Sequence, residues 1–87
     1  MDIKDKTIII TGAARGLGAA MAKRLATHNC KLGLIDLDKD SITDTASACE
    51  KAGAEVMCVS GDMTKEDDVA NAYPEVNNQM GPLVGSI

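Results

Sequence analysis

The sequence predicts an α/β domain in three layers, a parallel sheet with helices on both faces. Three observations point to it. Short apolar runs alternate with longer stretches at helical spacing, in the order strand, helix, strand, helix, strand, helix, strand. The runs are apolar throughout, as strands buried on both faces of a parallel sheet are. A glycine-rich turn joins the first run to the first helical stretch. Parallel strands in this alternation are connected by right-handed crossovers.

The first strand is Thr7-Ile8-Ile9-Ile10-Thr11, β-branched at every position. Residues 12–18 form the glycine turn. An Ala-rich helix then runs to about His28, with Leu17, Met21, Arg24 and Leu25 at helical spacing. Leu32-Gly33-Leu34-Ile35 is the second strand, closed by Asp36. Residues 40–52 predict a helix with Ile42, Thr45, Ala46 and Cys49 on its apolar face and Gly53 at the C-cap. Residues 55–60 predict the third strand. Thr64 and Asp67 have the spacing of a capping box. The helix that follows presents Val69, Ala72, Tyr73, Val76 and Met80 on one face. Pro74 falls inside it, where the missing N–H and a clash with the preceding turn cost about 3 kcal/mol; a kink, or a division near Tyr73, is expected. Residues 83–87 open a fourth strand.

Composition narrows the function classes. The chain has 87 residues and no linker divides it, so residues 1–87 belong to one domain. Apolar residues make up 45%, and Tyr73 is the sole aromatic, so the core is built from Ile, Leu, Val, Ala and Met. A net charge of −4 argues against nucleic-acid binding, which needs clustered Lys and Arg. No apolar run reaches membrane-spanning length. The charged start, Met1-Asp2-Ile3-Lys4-Asp5-Lys6, lacks a signal-peptide core, and a cytoplasmic location is the expectation. Cys30, Cys49 and Cys58 include no CxxC pair. They read as small buried thiols in a reducing compartment, with no metal site expected.

The strongest functional signal is Thr11-Gly12-Ala13-Ala14-Arg15-Gly16-Leu17-Gly18, glycines spaced GxxxGxG between a strand and a helix. A tight strand-to-helix turn needs residues free of Cβ constraints. A pyrophosphate approaches backbone N–H groups closely only where side chains are missing, and a helix N-terminus adds unpaired donors and partial positive charge. A P-loop would require a Lys after the glycines, and none stands there.

This segment resembles the TGxxxGxG motif of the short-chain dehydrogenase/reductase family, and the resemblance extends over essentially the whole chain. It implies a Rossmann-type doubly wound sheet with strand order 3-2-1-4, ending soon after the fourth strand begins. It also implies an NAD(P)-dependent oxidoreductase that moves hydride between a nicotinamide and an alcohol or carbonyl substrate. In such a protein Gly12, Gly16 and Gly18 shape the turn, Arg15 lies near the phosphates and adenosine ribose, and Leu17 lies near the nicotinamide end.

Asp36 ends the second strand, 18 residues after Gly18. A carboxylate there can accept bonds from both ribose hydroxyls and repels a 2′-phosphate; the plainer reading is a turn or capping Asp, with Asp38 and Asp40 close by. Leu37 follows, where NADP-preferring relatives carry a basic residue. NAD is therefore expected in preference to NADP, with Arg15 as the opposing feature. Gly61-Asp62-Met63-Thr64 resembles the family's Asp-Val-Thr segment, which implies an adenine contact for Asp62 and Met63; the alternative is a turn acid at a helix start.

Residues 81–87 resemble the family's approach to an Asn-Asn-Ala-Gly motif. The pair Asn77-Asn78 sits at the end of the third helix in this reading; a rival alignment makes it the strand end. The family's catalytic Tyr-x-x-x-Lys pair has no counterpart, because Asn77 stands four residues after Tyr73. No catalytic residue is assigned, and His28 reads as a surface residue at a helix end. The chain by itself is expected to be inactive, and a longer protein containing it to be a homo-oligomer. The alternative function is a non-catalytic NAD- or adenosine-binding module.

Overall fold

The computed structural model describes residues 3–86. Its elements are β1 (Thr7–Thr11), α1 (Gly16–Ala26), β2 (Lys31–Asp36), α2 (Lys39–Lys51), β3 (Glu55–Ser60), α3 (Glu66–Met80) and β4 (Leu83–Ser86). The strands are all parallel and lie in the predicted order, β3-β2-β1-β4. Ile87, expected in the fourth strand, lies outside the described residues.

Strand alternation sorts the core onto two faces. Ile8, Ile10, Leu32 and Leu34 pack with Ala22, Leu25 and Ala26 of α1 and with Ile42, Ala46 and Cys49 of α2. Ile9 and Ile35 point the other way, onto Ala72, Val76 and Met80 of α3. Helix α2 buries the four residues predicted for it, Ile42, Thr45, Ala46 and Cys49. Helix α3 buries Ala72, Val76 and Met80, while Tyr73 is half-buried and Val69 is exposed.

Four expectations need correction. Helix α1 buries Ala19, Ala22, Leu25 and Ala26, not the face drawn through Leu17, Met21 and Arg24. It lies close on the sheet, so small side chains go inward and most of the larger ones outward. Helix α3 is continuous through Pro74, so the division expected near Tyr73 does not occur. Pro74 and Ala70 are both on its exposed side, where water can satisfy the carbonyl that the proline leaves unpaired. The Thr64 capping box does not form, and Lys65 occupies the N-cap without a side-chain bond. Cys30 and Cys49 are buried, and burial pushes their thiols up, but Cys58 is exposed on β3 at the sheet edge.

The end of α3 is tied to the sheet by polar contacts. The Met80 carbonyl accepts from Thr7 Oγ1 and Lys31 Nζ, each at 3.1 Å. Asn77 Oδ1 accepts from the Leu83 N–H at 3.2 Å, so the Asn77-Asn78 pair belongs to a helix end and not to a strand end. Gly33 lets α3 settle onto β2. A methyl group there would lie 2.8 Å from Val76 Cγ1 and 3.3 Å from Ile9 Cγ1. Gly33→Ala is expected to destabilise the fold by about 1–3 kcal/mol, the usual cost of overpacking a tight core. Urea unfolding checks this, and an unchanged midpoint would contradict the packing described.

Candidate functional site

At the carboxyl end of β1 the chain enters a turn with left-handed backbone. Gly12 and Gly16 have φ of +63° and +60°, the left-handed region that a Cβ disfavours. Three bonds fix the turn between them. The Ala13 N–H donates to the Ile35 carbonyl at 3.2 Å, and the Ala14 N–H to Asp36 Oδ2 at 3.0 Å. Thr45 Oγ1, buried on α2, donates to the Ala14 carbonyl at 3.3 Å. Gly18 serves a different need. A methyl group at residue 18 would strike the Gly12 carbonyl and sit 3.2 Å from the Thr11 oxygen. Its missing side chain lets α1 approach the turn.

Helix α1 opens without the usual help. Its N-cap, Arg15, makes no side-chain capping bond, and no acid lies in its first turn. The positive end of the helix dipole is therefore not neutralised from within the helix.

A cavity of about 220 Å³ lies beside the turn. Five of the predicted site residues line it: Gly12, Asp36, Leu37, Asp62 and Met63. Arg15 and Gly16 line a second cavity, of about 420 Å³, between α1 and α2, with Lys23 and Ser41 on its wall. The smaller space gathers Asp36 and Asp62, and the larger one has Asp44 on its wall. Leu17 lines neither cavity, and its side chain is 78% exposed.

Asp36 and Asp62 both anchor backbone as well as facing the cavity. Asp36 Oδ1 accepts from the Asp38 N–H at 3.2 Å, which together with the Ala14 bond holds both carboxylate oxygens in place. Asp62 Oδ1 accepts from Thr64 Oγ1 at 2.6 Å and from the Thr64 N–H at 2.9 Å. Those two bonds hold the Asp62 carboxyl below its ordinary range. The associated stability is present above the ordinary carboxylate pKa and is lost as pH falls through the lowered folded-state value. The Thr64 hydroxyl is thus spent on Asp62, which is why it does not cap α3.

Sequence reasoning passed over Asp38 as a site residue. It is the N-cap of α2, accepting from the Ser41 N–H at 3.1 Å and from Ser41 Oγ at 2.8 Å. Its Oδ2 also lies 3.2 Å from Arg15 Nη2. The Ser41 bonds foremost, with Arg15 adding to them, hold its carboxyl below the usual range. The signal was a capping acid two residues after Asp36, opposite in charge to the arginine of the turn.

The side chains considered for catalysis have structural partners or stand apart. The Tyr73 hydroxyl shares a 2.8 Å hydrogen bond with Ser86 Oγ, joining α3 to β4. His28 is exposed just beyond α1. Among the described residues no group of three or more His, Cys, Asp or Glu side chains is arranged to hold a metal ion.

A parallel sheet in this order, with helices on both faces and a glycine turn at the carboxyl end of its first strand, defines the Rossmann-type class of α/β protein. The chain belongs to the short chain dehydrogenase family, whose model matches residues 6–85. It is 38% identical over 82 residues to a CLA biosynthesis dehydrogenase/reductase of Lactiplantibacillus plantarum, covering 94% of this chain and 29% of that protein. It is 33% identical over 81 residues to estradiol 17-beta-dehydrogenase 11 of Rattus norvegicus, covering 93% of this chain and 27% of that one. The crystal structure of a short chain dehydrogenase from Mycobacterium thermoresistibile superposes with a TM-score of 0.90 at 28% identity, over 97% of this chain and 32% of that one. The chain therefore spans about a third or less of the length of these relatives.

Proposed function

We propose that the cleft at the carboxyl ends of β1, β2 and β3 binds NAD(H), and that the protein carrying this chain moves hydride between that cofactor and a small alcohol or carbonyl compound. The observation that carries the reading is the meeting of Gly12, Asp36 and Asp62 around one cavity. In this reading the backbone of residues 12–18 cradles the pyrophosphate, with the N-terminus of α1 supplying positive potential. Asp36 accepts from the adenosine ribose hydroxyls, Leu37 packs beside them, and Asp62 and Met63 border the adenine. Arg15 borders the ribose and phosphates, and Leu17 borders the nicotinamide side.

The residues fit such a ligand sterically. A methyl group at Gly12 or Gly16 would point into open space with no atom within 4 Å, the space that a phosphate close to the backbone would occupy. Asp36 is fixed by two backbone donors, and each of its carboxylate oxygens has lone-pair capacity left for a hydroxyl. The bound nicotinamide would supply or accept the hydride; this chain's residues bind and orient it. The match to a dehydrogenase family favours this reading over a non-catalytic nucleotide module.

Calorimetric titration of the purified protein with NAD and NADP tests the proposal. NAD is expected to bind more tightly, because Asp36 faces the place of a 2′-phosphate. Tighter NADP binding would contradict the role given to Asp36 and shift the weight to Arg15. Residues 1–87 contain no Tyr-x-x-x-Lys pair, so this stretch alone is expected to bind cofactor with no change in nicotinamide absorbance when alcohols or ketones are added. Turnover would mean that it holds a catalytic group of another kind.

A further inference from the structure

We propose that Asp38 is a specificity-determining residue that sets cofactor preference by occupying Arg15, so that the guanidinium is not free to receive a 2′-phosphate. The inference rests on the reading of the cleft as a dinucleotide site and goes beyond the residues that would touch the cofactor.

The geometry places a cation close to the ribose position. Asp36 Oδ1 accepts from the Asp38 N–H at 3.2 Å, and Asp38 Oδ2 lies 3.2 Å from Arg15 Nη2. Arg15 therefore reaches the turn that carries Asp36, two residues beyond the carboxylate assigned to the ribose hydroxyls. The Arg15 side chain is 79% exposed and lines the 420 Å³ cavity, where Lys23 adds a second cation and Asp44 one acid. Space and positive charge for a phosphate are both present at this rim.

Asp38 opposes that use in two ways. Its carboxylate is held by the Ser41 N–H and hydroxyl, so it meets Arg15 from a fixed position. Its negative charge would also face any phosphate brought to the guanidinium. Asp36 and Asp38 thus act in sequence: the first repels a 2′-phosphate directly, and the second withholds the arginine that would compensate.

The test separates charge from helix capping. Asn caps a helix as well as Asp does, so Asp38→Asn keeps the Ser41 bond and removes the pairing charge. NAD and NADP affinities are measured by titration for the unmodified protein, Asp38→Asn, Arg15→Ala and the double variant. Asp38→Asn is expected to tighten NADP about fivefold, near the ceiling for an exposed ion pair, with NAD affinity changed less than twofold. In the Arg15→Ala background the same substitution should give no NADP gain, because the effect runs through the guanidinium. An unchanged NADP affinity, a parallel gain for both cofactors, or a gain that survives Arg15→Ala would each overturn the proposal while leaving NAD binding in the cleft intact. Failure of the unmodified protein to bind either dinucleotide would remove the cofactor reading itself, and this proposal with it.

Discussion

Gly16→Val is expected to weaken NAD binding roughly a hundredfold while leaving the protein folded. Residue 16 sits at φ +60°, where a side chain costs about 1–2 kcal/mol and a β-branched one is a true outlier. The added atoms would also stand in the open space assigned to the pyrophosphate. A free turn that relaxes to relieve the strain must be restored on binding, against the obstruction; together these reach about 2–3 kcal/mol, and each 1.4 kcal/mol is about tenfold in affinity. Nothing packs within 4 Å of the position, so the fold should lose only the strain energy, a fall of several degrees in melting temperature. Gly18→Ala supplies the contrast. Its methyl group would strike the Gly12 carbonyl, so stability and binding should fall together. Titration and thermal melting of both variants distinguish the two roles; wild-type affinity in Gly16→Val would contradict the phosphate cradle.

Asp36→Ala is expected to lower NAD affinity about tenfold, the scale of hydrogen bonds to a charged acceptor, and to narrow or reverse the preference over NADP. The alanine variant has a second effect, because it also frees the Ala14 and Asp38 N–H groups. Asp36→Asn separates the two. It keeps an oxygen for the Ala14 N–H, gives up the bond from the Asp38 N–H and loses the charge, so the glycine turn should survive while repulsion of a 2′-phosphate disappears. NADP affinity should rise in the asparagine variant relative to the unmodified protein. An unchanged ratio of the two affinities in both variants would show that Asp36 is a turn residue only.

These expectations rest on features that were unequally visible in the sequence. The buried face of helix α2 was legible to the residue, and its bounds to within one, because its apolar positions are flanked by charged and small polar ones, so only one face could be buried. The parallel alternation followed from runs such as Thr7–Thr11 that are apolar on both sides, and the strand order from that alternation together with the family resemblance; the register is seen only in the folded chain. Helix α1 was misread because its largest residues are not its buried ones; Ala19, Ala22 and Ala26 go inward where the helix sits close to the sheet. No periodicity reveals that closeness, but the packing at Gly18 does. Thr64 had the spacing of a cap, yet Asp62, two residues away, captured its hydroxyl and N–H first.

The candidate site divides the same way. Gly12, Asp36, Leu37, Asp62 and Met63 were found from motif position and converge on one cavity. Arg15 and Gly16 face a neighbouring one. The pairing of Arg15 with Asp38 joins residues 23 positions apart, and only the folded backbone shows that they meet.

In the function proposed above, one cleft, formed by the glycine turn and the ends of β2 and β3, receives the dinucleotide. An amide-resolved NMR titration of the isotopically labelled protein with NAD tests it most directly. Saturable shifts are expected at residues 12–18, at Asp36 and Leu37, and at Gly61 to Met63, with little change at His28 or along the outer side of α3. Saturable shifts confined to other surfaces, or none in the glycine turn at NAD concentrations that saturate binding, would contradict it.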